Sequence, residues 1–149
     1  MKPVKILFFA ANPLGTKHLQ LDEEVRQITN KIRASEYRDS LDLVAKWAVR
    51  PDDLLQALLE EMPHVVHFSG HGTNTETLLL VDEDGRPKPV SNEALVQLFL
   101  SLKDNIRVVV LNACSTKPQA QAIASVVDCV IGSAPWKGLV FQWVQVPPG

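Results

Sequence analysis

Two short β-branched runs, each ending in a turn of small residues, constrain this chain more than any other feature. They are His64-Val-Val-His-Phe-Ser-Gly-His-Gly72 and Val108-Val-Val-Leu-Asn-Ala-Cys-Ser115. Apolar runs of this kind belong to buried strands. The first delivers His71 between Gly70 and Gly72, and the second delivers Cys114 between Ala113 and Ser115. An imidazole and a thiol at the ends of two buried strands are the parts of a cysteine-nucleophile site.

The rest of the chain supplies the frame for these two strands. Val4–Ala10 reads as a further buried strand, closed by the turn formers of Asn12-Pro13-Leu14-Gly15. Leu21, Val25, Ile28 and Ile32 recur at intervals of 4, 3 and 4, which predicts an amphipathic helix with Asp22, Glu23 and Glu24 in its first turn. Leu41–Ala48 reads as a more exposed strand. A helix starts at Pro51 with the stripe Leu54, Leu55, Leu58 and Leu59, and Pro63 stops it. Thr77–Gly85 followed by Pro87-Lys88-Pro89 predicts a hairpin with an acidic tip at Asp82-Glu83-Asp84. Ser91 caps a helix carrying Leu95, Leu98, Phe99 and Leu102. A short helix is predicted over 118–127, then a last strand over 128–132. Strand and helix alternate throughout, so the expected fold is α/β, a three-layer sandwich around a mainly parallel sheet.

Composition excludes several classes of function. The 149 residues suffice for one domain with a real core. Fifteen basic against seventeen acidic residues leave a net charge of −2, so there is no electrostatic footprint for nucleic acid or an anionic membrane. No apolar run approaches a membrane span. The two cysteines, Cys114 and Cys129, are too few for a disulfide framework, and the start carries no long apolar signal region. The expected setting is cytoplasmic, with no nucleic acid, no membrane and no cofactor among the partners.

In an open parallel sheet, working groups gather beyond the carboxyl ends of the strands. His71 and Cys114 lie 43 positions apart, with a hairpin and a helix between them, so their strands can be neighbours joined by a crossover. Gly70 and Gly72 remove side-chain bulk around His71, which would let a substrate backbone approach. The amides of Gly72 and Cys114 are candidates for an oxyanion hole. A helix starting after Cys114 would aim its positive end at the sulfur. Taken singly, each residue has a plainer reading: a buried Cys as a small hydrophobe, a Gly-flanked His as a turn residue. His64 and His67 point to opposite faces of a strand, which argues against a shared metal, and His67 reads as a packed or hydrogen-bonded sheet residue. No metal site is expected, Cys129 reads as core, and Asp82-Glu83-Asp84 as a solvated tip.

Both segments resemble the caspase-like cysteine peptidase clan, which couples a His-Gly after one strand to an Ala-Cys after the next. Within it the chain is most similar to the CHAT domain, a caspase-like module of bacterial proteins often associated with tetratricopeptide repeats. His67-Phe-Ser-Gly-His-Gly72 and Leu111-Asn-Ala-Cys-Ser115 carry the likeness, together with Phe9-Ala-Ala-Asn-Pro13, Leu19–Val25 and Trp47-Ala-Val-Arg-Pro51. The resemblance implies a caspase-like fold, with Cys114 as nucleophile, His71 as general base and acid, and a protein or peptide as substrate. A regulatory protein partner is also implied. Some clan members carry an Asp two residues before the nucleophile, in contact with a basic substrate side chain. Asn112 occupies that place here, which makes it the candidate substrate-binding residue but does not carry over a preference for Arg or Lys. The competing readings are a catalytically inactive CHAT-like binding or signalling module, and a flavodoxin-like domain whose His and Cys are incidental.

The likeness read this way covers 1–132, a C-terminally incomplete caspase-like domain, and leaves 133–149 as a divergent tail or a replacement edge strand. Val140, Gln142, Val144 and Val146 alternate with Phe141, Trp143 and Gln145, as a strand would. Family members build part of the substrate wall from sequence absent here, so weak peptidase activity is expected of these 149 residues alone. A Trp136/Phe141/Trp143 surface would favour self-association.

Overall fold

The computed structural model describes residues 2–72, 78–113, 117–133 and 141–145. The first strand, β1 (Val4–Ala10), alternates between two cores. Leu7 and Phe9 face one side of the sheet and Phe8 and Ala10 the other, all four sealed from solvent. Only a strand covered on both faces has that pattern. The chain continues through α1 (Leu21–Ala34) and a 3-10 turn at Arg38–Ser40 into β2 (Leu41–Lys46). β2 pairs parallel with β1 from Val4↔Leu41 to Phe9↔Lys46 and is half-buried along its length, as an edge strand is.

α2 (Pro51–Glu61) then carries the chain back across the sheet to β3 (Val65–Ser69), which docks on the opposite side of β1. Its ends are set locally. Pro51 occupies the first helical position, the Asp53 carboxylate accepts the Arg50 backbone N–H at 3.2 Å, and Met62 adopts a left-handed φ of 46° ahead of Pro63. The apolar stripe is narrower than the sequence suggests: Leu54, Ala57 and Leu58 are buried, whereas Leu55 and Leu59 are 46% and 55% exposed. The helix presents one face to the sheet, and Leu55 and Leu59 lie one position past each buried leucine, at its margin.

After β3 the chain leaves the main sheet for a small antiparallel one, made of β4 (His71–Gly72), β5 (Leu78–Val81) and β6 (Pro87–Val90). The hairpin tip is a side-chain-stabilised turn. Asp82 Oδ1 accepts the N–H groups of Asp84 and Arg86 at 2.8 Å each, and Gly85 supplies the positive φ of 82°. α3 (Asn92–Ser101) follows, with Ser91 Oγ accepting the Ala94 N–H at 3.1 Å. β7 (Val108–Asn112) pairs parallel with β3, and α4 (Lys117–Ile123) leads to β8 (Cys129–Ser133), parallel to β7. α4 is shorter than the predicted 118–127. Ser125 turns its hydroxyl back onto the Ala122 carbonyl at 2.7 Å, and Val126 and Val127 both bond to the Ile123 carbonyl, closing the helix in turns. β9 (Phe141–Gln145) pairs antiparallel with β8 as the far edge.

The sheet order is β2-β1-β3-β7-β8-β9, five strands parallel and one antiparallel. α2, α3, α4 and the small sheet pack on the face of Leu7, Phe9, Val66, Phe68, Val109, Leu111 and Val130. α1 covers the other face, over Phe8, Ala10, Leu43 and Ala45. The architecture is therefore the expected three layers. Strand order reverses at β1, since its successors lie on either side of it, so the crevice belongs at the carboxyl ends of β1 and β3.

The main core tests this arrangement. Phe9→Ala removes a fully buried ring beside a small apolar cavity of about 20 Å³ shared with Leu54, Phe68 and Leu80. A loss of about 3–5 kcal/mol is expected in urea unfolding. Leu59→Ala, on the exposed margin of α2, is expected to change stability by less than about 0.5 kcal/mol.

Candidate active site

Backbone hydrogen bonds hold β3 in place right up to the residue before His71. The Ala11 N–H donates to the Ser69 carbonyl and the Gly70 N–H to the Asn112 carbonyl, each at 3.2 Å, so both neighbouring ladders extend one step past the strand. Gly70 is required there for a reason the sequence did not reveal. A Cβ at this position would sit 2.9 Å from the Ala11 carbonyl oxygen and 3.2 Å from the Phe68 ring. The space freed by the missing side chain is filled by the protein's own backbone, not left open for a substrate.

His71 is not a turn residue. It opens β4 and pairs with Leu79 of β5, with Gly72 opposite Leu78. The backbone thus passes from one sheet to the other at Gly70, and the imidazole is delivered at the seam. Nε2 of His71 is buried and makes no hydrogen bond to any of the described residues. Leaving a buried imidazole nitrogen unpaired costs free energy, so such groups call for an explanation.

Across from His71, β7 ends at Asn112, aligned with Ser69 of β3. Cys114, whose thiol and amide are the candidate nucleophile and oxyanion-hole donor, lies outside the described residues. Gly72, the other oxyanion-hole candidate, is in β4. The register puts Ser69 and Asn112 side by side, and His71 and Cys114 each follow two positions later in the sequence.

The group that ties these strand ends together is Glu24. It sits in the second half of the first turn of α1, its side chain 26% exposed. Oε2 accepts the Ser69 hydroxyl at 2.6 Å, and Oε1 accepts the Asn112 amide at 2.9 Å and His67 Nε2 at 3.1 Å. Asn112 Nδ2 also lies 3.4 Å from Ser69 Oγ. Burial pushes the Glu24 carboxyl up. The hydrogen bonds from His67, Ser69 and Asn112, with the charge of His67, outweigh that and hold it below its ordinary value. His67 is additionally stacked on Phe8, ring centroids 4.7 Å apart, which matches its reading as a packed and hydrogen-bonded sheet residue. His64 is occupied separately: its Nδ1 accepts the Lys5 N–H at 3.1 Å. Among the described residues, no three His, Cys, Asp or Glu side chains gather as a metal site.

In the sequence Glu24 reads only as one of three acids complementing a helix N-terminus. A signal was present: Glu24 lies three residues after Leu21 and four before Ile28, inside the apolar stripe where a charge is out of place.

A cleft of about 440 Å³ opens at the same edge of the sheet, lined among others by Ala10, Asn12, Leu14, Leu19 and Trp47. Asn12 shapes it, its side chain accepting the Leu19 N–H at 3.0 Å and donating to the Leu19 carbonyl at 2.8 Å. The Asn12–Thr16 segment is thus a braced wall rather than a plain turn. The crevice, the seam carrying His71 and the end of β7 all lie along one edge.

Comparison with known proteins decides the family, because the CHAT domain matches residues 9–139, most of the chain. This chain belongs to the CHAT-domain family. The CHAT match includes both signature segments and β2, β3, β7 and β8 of the main sheet, with the last two residues of β1. Its fold is the caspase-like α/β sandwich that the resemblance implied. The chain is 26% identical over 134 residues to a Roc-COR-CHAT protease from an unknown prokaryotic organism, covering 85% of this chain and 13% of that protein. It is also 26% identical over 135 residues to a protein from Gillisia limnaea named as a probable protease, covering 89% of this chain and 24% of the other. The chain thus spans less than a quarter of the length of either relative. Among the described residues, no helix is long and apolar enough to cross a membrane.

The Glu24 cluster gives this CHAT domain a pH-dependent stability. Glu24→Gln keeps the size but presents an NH2 where an acceptor is needed, and is expected to cost about 1–3 kcal/mol at neutral pH. A carboxyl lowered in the folded state contributes fully above its unfolded pKa, and that contribution is lost as the pH falls through the folded value. Urea unfolding of both proteins is therefore expected to show the gap closing below about pH 4.5.

Proposed function

We propose that this CHAT domain is a cysteine endopeptidase acting on protein or peptide substrates. Cys114 is the nucleophile. His71 takes its proton, and the resulting thiolate attacks a peptide carbonyl. The imidazolium then protonates the leaving amine as the C–N bond breaks. Water, deprotonated by the same imidazole, releases the acyl group and restores the thiol. The backbone N–H groups of Gly72 and Cys114 receive the charge that develops on the carbonyl oxygen.

The observation that carries this reading is the buried, unbonded Nε2 of His71 at the carboxyl edge of the sheet. An imidazole nitrogen buried from water and left without a partner among the described residues is available to take a proton from a group brought to this edge. The two relatives named as proteases support the same reading. Asn112 stands beside this edge as the candidate contact to a substrate side chain, although its amide NH2 already donates to Glu24. A regulatory protein partner belongs to the proposal, as does a cytoplasmic setting in which the thiol stays reduced.

Treating the protein with an electrophilic peptide ketone and locating the adduct by mass spectrometry tests it. Covalent labelling is expected on Cys114 and not on Cys129, and to fall by at least about a hundredfold in His71→Ala. Absence of a Cys114 adduct, or labelling undiminished in His71→Ala, would sink the peptidase and leave a CHAT-like binding module as the reading.

A further inference from the structure

We propose that Glu24 is a positioning residue that pins the carboxyl ends of β3 and β7 to α1 and so sets the placement of His71 against Cys114. The proposal rests on the cysteine-peptidase reading above and adds a part to it. Its three donors come from two strands: His67 and Ser69 from β3, Asn112 from β7. Ser69 precedes His71 by two residues and Asn112 precedes Cys114 by two. No other described side chain bonds to both strand ends at this level except through the Ser69–Asn112 contact itself. The clamp therefore acts one residue pair upstream of each reacting group.

Two features make the clamp stiff. Glu24 stands on a helix held against the sheet by Leu21, Val25 and Ile28 packed on Phe8 and Ala10, so its carboxylate has a fixed origin. Ser69 is 2% exposed, which shields its short bond from competing water. Stability alone does not call for a charge here. Apolar residues at 24, 67, 69 and 112 together would complete the stripe of α1 without desolvating a carboxylate or stranding a donor, and replacing a whole buried polar cluster in this way is often neutral or stabilising. A local rule broken beside a reactive group is the pattern of a functional site.

Two readouts test the proposal on the whole chain. The first is hydrogen exchange at the Gly70 amide, which bonds to the Asn112 carbonyl between the two strand ends. Glu24→Ala is expected to speed it by about tenfold or more while the Val109 amide is unaffected. The second is the pH profile of iodoacetamide alkylation at Cys114, followed by mass spectrometry. A positioned imidazolium keeps the thiolate well below the ordinary thiol range, so Glu24→Ala is expected to move the inflection upward and slow alkylation about tenfold near pH 6. A purely structural role predicts the reverse, faster alkylation of a loosened fold. Should Glu24→Ala fail to fold, Glu24→Gln carries the same measurements with smaller shifts expected. Unchanged Gly70 exchange together with an unchanged alkylation profile would overturn the proposal. An ordinary thiol profile in the unmodified protein would instead strike the dyad, and Gly70 exchange alone would then decide whether Glu24 holds the strand ends.

Discussion

Parallel pairing of β3 with β7 governs what this protein can do, because it aligns Ser69 with Asn112 and leaves the two reactive segments to emerge from adjacent strands. Parallel neighbours need a crossover, and the chain provides one through the small sheet and α3. The same crossover contains His71, so the connection that makes the pairing possible also carries the proposed base. A slip of one residue in this register would exchange the two faces of β7, sending Val109 and Leu111 out of the main core. The core thus enforces the alignment on which the site depends.

The edge of the sheet is built from groups that each do two things. Gly70 completes the β3–β7 ladder and makes room for the Ala11 carbonyl, and by doing so lets the chain step into the second sheet. Asn112 ends β7 and bonds to Glu24. Glu24 lies in the first turn of α1 and joins both strands. Its desolvation is offset by three donors, one of them a histidine braced on Phe8, so the half-buried carboxyl lies below its ordinary value despite its burial. Against these satisfied groups, the bare Nε2 of His71 stands out.

Much of this was legible in the sequence. Runs rich in β-branched and other apolar residues gave β1, β3 and β7, the 4-3-4 spacing of Leu21, Val25, Ile28 and Ile32 gave α1, and Pro51, Pro63 and Ser91 gave helix ends, because local chemistry decides each of these. The pair of segments around His71 and Cys114 led to the family. What was not legible depends on distant contacts. Gly70 looked like an opening for substrate because nothing local announces the Ala11 carbonyl. His71 looked like a turn residue because its partner, Leu79, is a separate strand. Glu24 looked like a helix-end charge because its three partners lie 43, 45 and 88 residues away in the sequence. α4 stopped early through a Ser125 side-chain bond that periodicity does not register.

The central claim is that these two strands bring His71 and Cys114 together as one reactive unit. The distance between His71 Nε2 and the Cys114 sulfur, measured in a crystal structure of the protein after reaction with a peptide ketone, tests it most directly. The account predicts a sulfur bonded to the inhibitor and within about 4 Å of Nε2, hydrogen-bond reach for a thiolate and an imidazole. A sulfur turned into the core, or held more than about 6 Å from the ring with no adduct, would contradict it.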